Sequence, residues 1–212
     1  MKTFAITAAG LLACTAAANA AVINGDFETG DISPAVSAYT LDGTMFPPAT
    51  YNVVGFDTIH PSWVDFFDHT RGNSDGHFMI VNGTDSGAGP VWAQVISVTP
   101  GTSYEMSAWF ASLFPAAVAS LSLRVYGLVE RGDSPIAALD FIAPSDLGVW
   151  AQQTLAFDAG QLSAVRVEIW DTNAAFSGND YAIDDIAVSA VPAPGAAAML
   201  GLAGITGVRR RR

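Results

Sequence analysis

Short runs in which apolar and polar residues alternate at every second position fill the middle of the chain, from residue 21 to residue 190. This alternation is typical of half-buried β-strands, because successive side chains of a strand point to opposite faces of its sheet. The predicted strands cover residues 76–82, 91–98, 103–111, 120–128, 136–142, 151–157, 163–170 and 181–189, and the least regular stretch is 31–75. Short strands separated by Gly, Pro, Asn and Asp turns predict an all-β domain, a two-sheet antiparallel jelly-roll β-sandwich.

Charge is distributed unevenly along the chain. All 20 acidic residues lie between Asp26 and Asp185, and only four arginines and no lysine accompany them. Twenty acids against four arginines give this segment a formal charge of −16 with neutral histidines. Such an excess repels nucleic acid and anionic lipid and favours divalent cations or uncharged polymers as partners. Alternatively, the acidity serves only to keep an exported protein soluble.

The first 20 residues have the layout of a Sec signal peptide. Lys2 gives the positive start, residues 4–12 give the apolar stretch, and residues 18–20 give the small-x-small cleavage site. Cleavage there would remove Cys14, the only cysteine, so the mature domain would contain neither a disulfide nor a thiolate site. Lipoprotein processing at residues 11–14 is the alternative, and it would leave a lipidated Cys14.

The C-terminal residues 191–212 form a tail of three parts. An apolar run, 196–208, and four arginines, 209–212, follow the motif Val191-Pro192-Ala193-Pro194-Gly195. A helix over the apolar run would be roughly 20 Å long, shorter than the ~30 Å hydrocarbon core of a bilayer. Because the arginines would hold the C-terminus in the cytoplasm, the tail is expected to anchor the chain in the inner membrane transiently. An ordinary tail anchor is the alternative.

This tail resembles the PEP-CTERM sorting signal in its VPAPG variant. The resemblance implies cleavage near the motif by an exosortase-type membrane protease, a Gram-negative-type envelope, and a role in extracellular polysaccharide or biofilm matrix. The expected organisation is a signal peptide with its helix at 1–20, a β-sandwich domain at 21–190, and a sorting tail with its hydrophobic helix at 191–212. The protein is therefore expected to leave the cytoplasm through Sec, to reside at the cell surface or in the extracellular matrix, and to contact the membrane only through the tail.

Two further segments carry a second resemblance. Residues 22–30, VINGDFETG, and 181–188, YAIDDIAV, resemble the opening and closing strands of galactose-binding-like jelly rolls, the fold of many carbohydrate-binding modules. A structural calcium ion commonly ties these two strands together in that superfamily, which implies ligands at Glu28 and at Asp184 or Asp185. Adjacent carboxylates also repel each other unless a cation or hydrogen bonds compensate. Alternatively, both aspartates accept hydrogen bonds from turn amides.

Three predicted strands place an aromatic side chain beside charged groups on one face. These outward sets are Glu105, Ser107 and Trp109; Ser122, Arg124 and Tyr126; and Arg166, Glu168 and Trp170. If the strands share a sheet, Trp109, Tyr126 and Trp170 form a platform suited to a sugar, which has apolar CH faces and hydroxyl groups. Two alternatives are a protein contact and a covering loop, for which the candidates are Trp63, Phe66 and Phe67.

Catalytic signatures are missing from the sequence. The stretch with Asp65, Asp68, His69, Asp75 and His77 matches no zinc or hydrolase spacing. There is no nucleophile elbow, phosphate loop or dinucleotide fingerprint, and nothing singles out a carboxylate pair for glycoside hydrolysis. The sequence thus predicts a non-catalytic, matrix-associated protein that binds polysaccharide. A structural or adhesive surface protein that binds other proteins and a polysaccharide-degrading enzyme are the alternatives.

Overall fold

The computed structural model describes residues 21–128, 134–175 and 177–192, and this part of the chain contains ten strands and no helix. In the same ranges no helix has the length and apolar character that crossing a bilayer requires. The predicted signal helix, the lipoprotein alternative at Cys14 and the hydrophobic tail helix lie outside the described residues. So do Ala193, Pro194 and Gly195 of the sorting motif.

The strands form two sheets, and their bounds are β1 (Thr40–Leu41), β2 (Thr50–Val54), β3 (Phe78–Asn82), β4 (Pro90–Ser97), β5 (Ser103–Ser112), β6 (Ser120–Gly127), β7 (Ala137–Ile142), β8 (Ala151–Asp158), β9 (Ala164–Asp171) and β10 (Tyr181–Ala190). One sheet has six strands in the order β1-β2-β3-β10-β5-β8, and the other has four in the order β4-β9-β6-β7. The described pairs are antiparallel except for the two-residue pairing of β1 with β2. The predicted all-β, two-sheet architecture is confirmed, and it fits a jelly roll.

All of the strands predicted from the alternation are present, with ends that differ by at most about two residues. The prediction missed β1 and β2, which lie in the stretch that was expected to be irregular. β2 has buried ends, Thr50 and Val54, but its three middle residues are half-buried on both sides of the strand. Since neither face of β2 is fully exposed, its sequence lacks the two-residue rhythm on which the prediction relied.

The main core lies between the two sheets. Its completely buried members include the inward residues of three central strands, which are Tyr104, Met106, Ala108 and Phe110 on β5, Leu121, Leu123 and Val125 on β6, and Val165, Val167 and Ile169 on β9. These are the faces that the alternation predicted as apolar. Burying a large apolar side chain stabilises the folded state by about 1.5–3 kcal/mol, so this layer fixes the register in which the outward residues are presented.

A second, smaller core covers the outer face of the six-stranded sheet. Trp63 and Phe66, from the segment between β2 and β3, pack on outward residues of the sheet such as Phe78 and Ile80. Phe67, the third predicted covering residue, remains 47% exposed and contacts Phe56. The sandwich therefore has one outer face under a covering segment, and the four-stranded sheet supplies the other.

Candidate functional site

The pairing of β6 with β9 brings five of the seven predicted face residues together. Arg124 lies opposite Glu168, Tyr126 lies opposite Arg166, and Trp170 lies opposite Ser122. All six point away from the core on the outer side of the four-stranded sheet. We call this set the Arg–aromatic face; it comprises Ser122, Arg124, Tyr126, Arg166, Glu168 and Trp170.

Each aromatic ring of this face is covered by an arginine from the neighbouring strand. The guanidinium carbon of Arg124 lies 4.6 Å from the centroid of the Trp170 ring, and that of Arg166 lies 5.1 Å from the Tyr126 ring. Such contacts contribute about 0.5–1 kcal/mol at exposed sites. Because the Arg124–Trp170 contact runs diagonally between β6 and β9 and the Arg166–Tyr126 contact runs directly across, the two contacts also restrict the rotamers of all four side chains.

Glu168 links the two Arg–aromatic pairs. Its carboxylate is only 2% exposed; one oxygen lies 2.5 Å from Nε of Arg166 and the other accepts a 2.6 Å hydrogen bond from Nε1 of Trp170. A buried carboxylate is stable only when it is paired in this way. Arg124 in turn donates from Nε to the Ser122 hydroxyl at 3.1 Å. The face is therefore held in one arrangement before any ligand arrives.

An apolar groove continues the face towards β4. It has a volume of about 230 Å³, and its lining includes Val36, Ala93, Val95 and Arg166. Val36 and Val95 are 64% and 56% exposed, which is high for aliphatic side chains. On the other side, Asp140 of β7 lies opposite Ser122 and is exposed. Flat apolar surface, guanidinium donors and a carboxylate acceptor thus alternate across one sheet.

Trp109 and Glu105 do not belong to this face, so the three-ring platform expected if the strands shared a sheet is not formed. Both residues lie on β5, which pairs with β10 and β8 in the six-stranded sheet. The Trp109 ring stacks on His69, with centroids 3.7 Å apart and an interplanar angle of 20°. Alternation within a strand tells which side a residue faces, but it carries no information on which sheet the strand joins.

The aspartates predicted as calcium ligands lie beside this same stacked pair. Asp184 is opposite Trp109 and completely buried, and its Oδ2 accepts the amides of His69 at 2.8 Å and Thr70 at 3.2 Å. Asp185 Oδ2 lies 2.5 Å from Nδ1 of His69. Asp184 therefore accepts backbone amides, as the alternative to calcium binding predicted.

Glu28, the third predicted ligand, contacts the same loop from the N-terminal segment. Its Oε2 lies 2.7 Å from Nη2 of Arg71 but makes no hydrogen bond of good geometry, and its Oε1 accepts the His77 amide at 3.4 Å. The atoms that would coordinate the ion are all carboxylate oxygens, which are the ligands that calcium requires. In the described ranges, however, no three His, Asp or Glu side chains converge as a metal centre. The calcium ion stays a prediction.

Removing calcium tests that prediction. If the ion binds only the folded state, calcium at a hundredfold excess over its Kd raises the free energy of unfolding by about 2.7 kcal/mol. We expect the melting temperature to fall when a chelator is added, to recover with calcium but not magnesium, and to lose this response in Glu28→Gln. An identical melting temperature with and without the chelator would contradict the predicted calcium site.

A buried acidic cluster lies at the end of the sandwich where β9 ends and β10 begins. Asp171 Oδ2 accepts hydrogen bonds from the Tyr39 hydroxyl at 3.3 Å, the Thr84 amide at 3.1 Å and Nδ2 of Asn179 at 2.7 Å. Burial is the main cause that raises the pKa of Asp171 to about 6. This cluster was missed in the sequence, where only the position of Asp171 after a strand hinted at it.

Asp180, directly before β10, is the second acid of this cluster. It is 7% exposed, and its Oδ2 accepts a 3.2 Å hydrogen bond from Nε1 of Trp63. Burial and, to a smaller extent, the charge of Asp171 raise the pKa of Asp180 to about 7. The two carboxyl groups thus titrate near neutral pH inside the fold.

Comparison with known proteins supports the fold. No family model and no curated protein matches the sequence. An apo cyclase from Fischerella sp. superposes with a TM-score of 0.58 at 16% identity over 84% of this chain and 98% of that one. TmCBM61, a carbohydrate-binding module in complex with β-1,4-galactotriose, gives 0.52 at 14% identity over 82% and 100%. At such identities the likeness extends to the fold alone, which sugar-binding and cyclase proteins share.

Proposed function

We propose that the protein is a non-catalytic polysaccharide-binding protein and that the Arg–aromatic face is its binding surface. The observation that carries the proposal is the preorganised arrangement of two Arg–aromatic pairs around the buried carboxylate of Glu168. Preorganisation lowers the entropy that a ligand must overcome on binding. A carbohydrate-binding module among the structures of the same fold is in keeping with this function.

The chemistry of the face suits a sugar chain. Arginine supplies several fixed N–H donors for hydroxyl groups, while the edge of Trp170 and the apolar groove at Val36 and Val95 supply surface for sugar CH groups. Arg166 and Trp170 are four residues apart on β9, about 13 Å along a strand. This length is that of an oligosaccharide segment, not of a single ring.

The charge of the protein favours an uncharged polymer. The chain carries a net charge of −11, so an anionic polysaccharide would be repelled at long range. The face itself contains two arginines and one glutamate, which makes it less acidic than the remainder of the domain. Attraction at this face therefore comes from hydrogen bonds and ring contacts, and binding is expected to depend little on salt.

Export and sorting belong to the same proposal. β10 ends at Ala190, directly before the VPAPG motif, and the Val191 amide still donates to the Ser103 carbonyl at 2.8 Å. A protease that acts at the motif would thus cut where the last strand ends. We propose passage through Sec, processing by an exosortase-type protease, and a place at the cell surface or in the extracellular matrix.

Replacing Trp170 with alanine tests the face. On a glycan array that includes uncharged matrix polysaccharides, we expect retention to fall at least tenfold for Trp170→Ala, because the ring under Arg124 and a hydrogen bond to Glu168 are lost together. Trp109→Ala is the matched control on the other sheet and is expected to bind like the parent. Thermal melting of both variants confirms that they are folded.

Four outcomes contradict the proposal. Equal losses in Trp170→Ala and Trp109→Ala would point away from the face, and self-association without glycan retention would favour the adhesive alternative. Turnover of a bound glycan that a single carboxylate change abolishes would make the protein an enzyme. The protein is taken from the exported fraction, and an intact mass that still includes residues 1–20 and the tail would contradict export and sorting.

A further inference from the structure

A separate pocket lies at the end of the six-stranded sheet, away from the Arg–aromatic face. It forms where β3 and β5 end and β10 begins, and its volume is about 210 Å³. Four aromatic rings and five small or polar residues line it, namely Phe46, His60, Trp63, Phe114, Asn82, Asp180, Ser62, Ser177 and Gly178. A pocket with rings on its walls and a few convergent polar groups is the usual form of a small-molecule site.

Three of the rings form a continuous row. The Phe46 and His60 rings meet edge to face with centroids 4.8 Å apart, and His60 and Trp63 are also 4.8 Å apart. Trp63 is 8% exposed, whereas Phe46 is 63% exposed. The row therefore leads from a buried base to a rim in solvent. Phe46 therefore offers an open aromatic surface at the mouth of the pocket.

The polar groups at the base are held in fixed orientations. Asp180 is positioned by its hydrogen bond from Nε1 of Trp63. Asn82 donates from Nδ2 to the Met45 carbonyl at 2.7 Å, which commits its amide nitrogen and leaves Oδ1 as an acceptor. A carboxyl group and an amide oxygen thus flank the rigid Trp63 ring. Hydroxyl groups on a ring that enters the pocket against Phe46 and His60 would meet both of them.

The size and charge of the pocket select the ligand class. A volume of about 210 Å³ is below the ~300–1,000 Å³ of sites for drug-sized ligands, so one ring enters and a longer chain does not. Asp180 and the nearby Asp171 disfavour an anion. Burial raises the pKa of Asp180 to about 7, so at neutral pH about half of these carboxyl groups are protonated and the attraction for a cation is reduced. The ligand class that fits the pocket is therefore a neutral ring that carries hydroxyl groups.

We infer that this pocket is a second ligand site, which takes the single terminal unit of a neutral saccharide. The ring of the sugar lies against Phe46 and His60, above the buried Trp63, and its hydroxyl groups donate to Asp180 and Asn82. The site differs in kind from the Arg–aromatic face, which is open and extended. The pocket binds the terminal unit of a saccharide, whereas the face binds several units along a chain. The inference stands on the pocket alone and does not require the face to bind.

Ligand-observed NMR of the purified protein with a panel of neutral methyl glycosides tests this inference, with methyl β-galactoside and methyl β-glucoside as the first probes. We expect saturation transfer to at least one glycoside, and an affinity at least fivefold lower in Phe46→Ala and in Asp180→Asn. Trp170→Ala is the matched control and is expected to bind the glycoside like the parent. Because Phe46 is mostly exposed, we expect Phe46→Ala to fold, and this variant tests the pocket even if Asp180→Asn does not fold.

The outcomes separate the two sites. Glycoside binding that survives in Trp170→Ala while polysaccharide retention is lost supports two independent sites. No transfer to any glycoside, or transfer unchanged in Phe46→Ala, overturns the pocket and leaves the face untouched. Tetramethylammonium serves as the cationic probe. If it binds, loses affinity in Phe46→Ala, and the glycosides do not bind, the pocket is an aromatic site for organic cations and the saccharide inference is wrong.

Discussion

Replacing Gly25 with alanine is expected to destabilise the folded protein by about 3 kcal/mol or to prevent folding. A Cβ atom at this position would lie 2.0 Å from the carbonyl oxygen of Ile186. The obstacle is backbone on both sides, because the Ile186 amide also donates to the Gly25 carbonyl at 2.9 Å. Relief would require the N-terminal segment to separate from β10. Urea denaturation measures the loss.

Gly43→Ala is the matched control for this substitution. A Cβ at Gly43 meets no atom within 4 Å, so we expect a change of less than about 0.5 kcal/mol or a slight stabilisation. If Gly25→Ala were as stable as the parent, the close approach of the N-terminal segment to β10 would not exist in solution. The same segment carries Glu28, so a folded Gly25→Ala protein would also weaken the case for calcium.

Two buried carboxyl groups, Asp171 and Asp180, are expected to raise the free energy of unfolding by on the order of 3 kcal/mol as the pH is lowered from 8 to 5. Asp171 and Asp180 have pKa values of about 6 and 7 in the folded protein, against an ordinary value of 3.8 for an aspartate. Because both values are raised, the folded state holds these protons more tightly than the unfolded chain does. Their contribution to stability is therefore fully present only below the unfolded value of 3.8, and it is lost as the pH rises through 6 and 7.

Neighbouring groups set the limits of this effect. The pKa of His60, which faces the Asp180 pocket, is lowered by burial, so its protonation opposes the gain below about pH 6.5. Burial also raises the pKa of Asp184 to about 8, so this carboxyl group adds to the same slope. Chemical denaturation at a series of pH values measures the slope, and replacing Asp171 and Asp180 with asparagine is expected to remove about half of it between pH 5.5 and 7.5. Stability that increases towards pH 8 in the parent would contradict the assignment.

Strand positions were predictable from the sequence because burial of one face imposes a two-residue rhythm. β5 and β9 followed that rhythm, and their inward and outward residues were assigned correctly. β2 did not follow it, because Trp63 and other residues of the covering segment leave β2 without a fully exposed face. Local pattern thus revealed strands that border solvent and missed one that lies under a second core.

The candidate site was predictable only in part. Trp109 and Trp170 have the same local pattern, yet they lie in different sheets, since strand order is fixed by long-range pairing that no short motif encodes. Trp63 and Asp180 are 117 positions apart and meet at one hydrogen bond. Pairs of this kind result from the way strands cross between sheets, so the pocket could be found only in three dimensions.

The direction of β10 has a consequence for how the molecule presents itself. The strand starts beside Asp180, at the base of the aromatic pocket, and ends at Ala190, about 30 Å away at the opposite end of the sandwich. Attachment of the protein through the chain beyond Val191 therefore takes place at the end of the sandwich where β10 ends. A molecule attached there would carry the aromatic pocket at its far end and the Arg–aromatic face along its side. The pocket would then be the first part of the protein to meet a polysaccharide from outside.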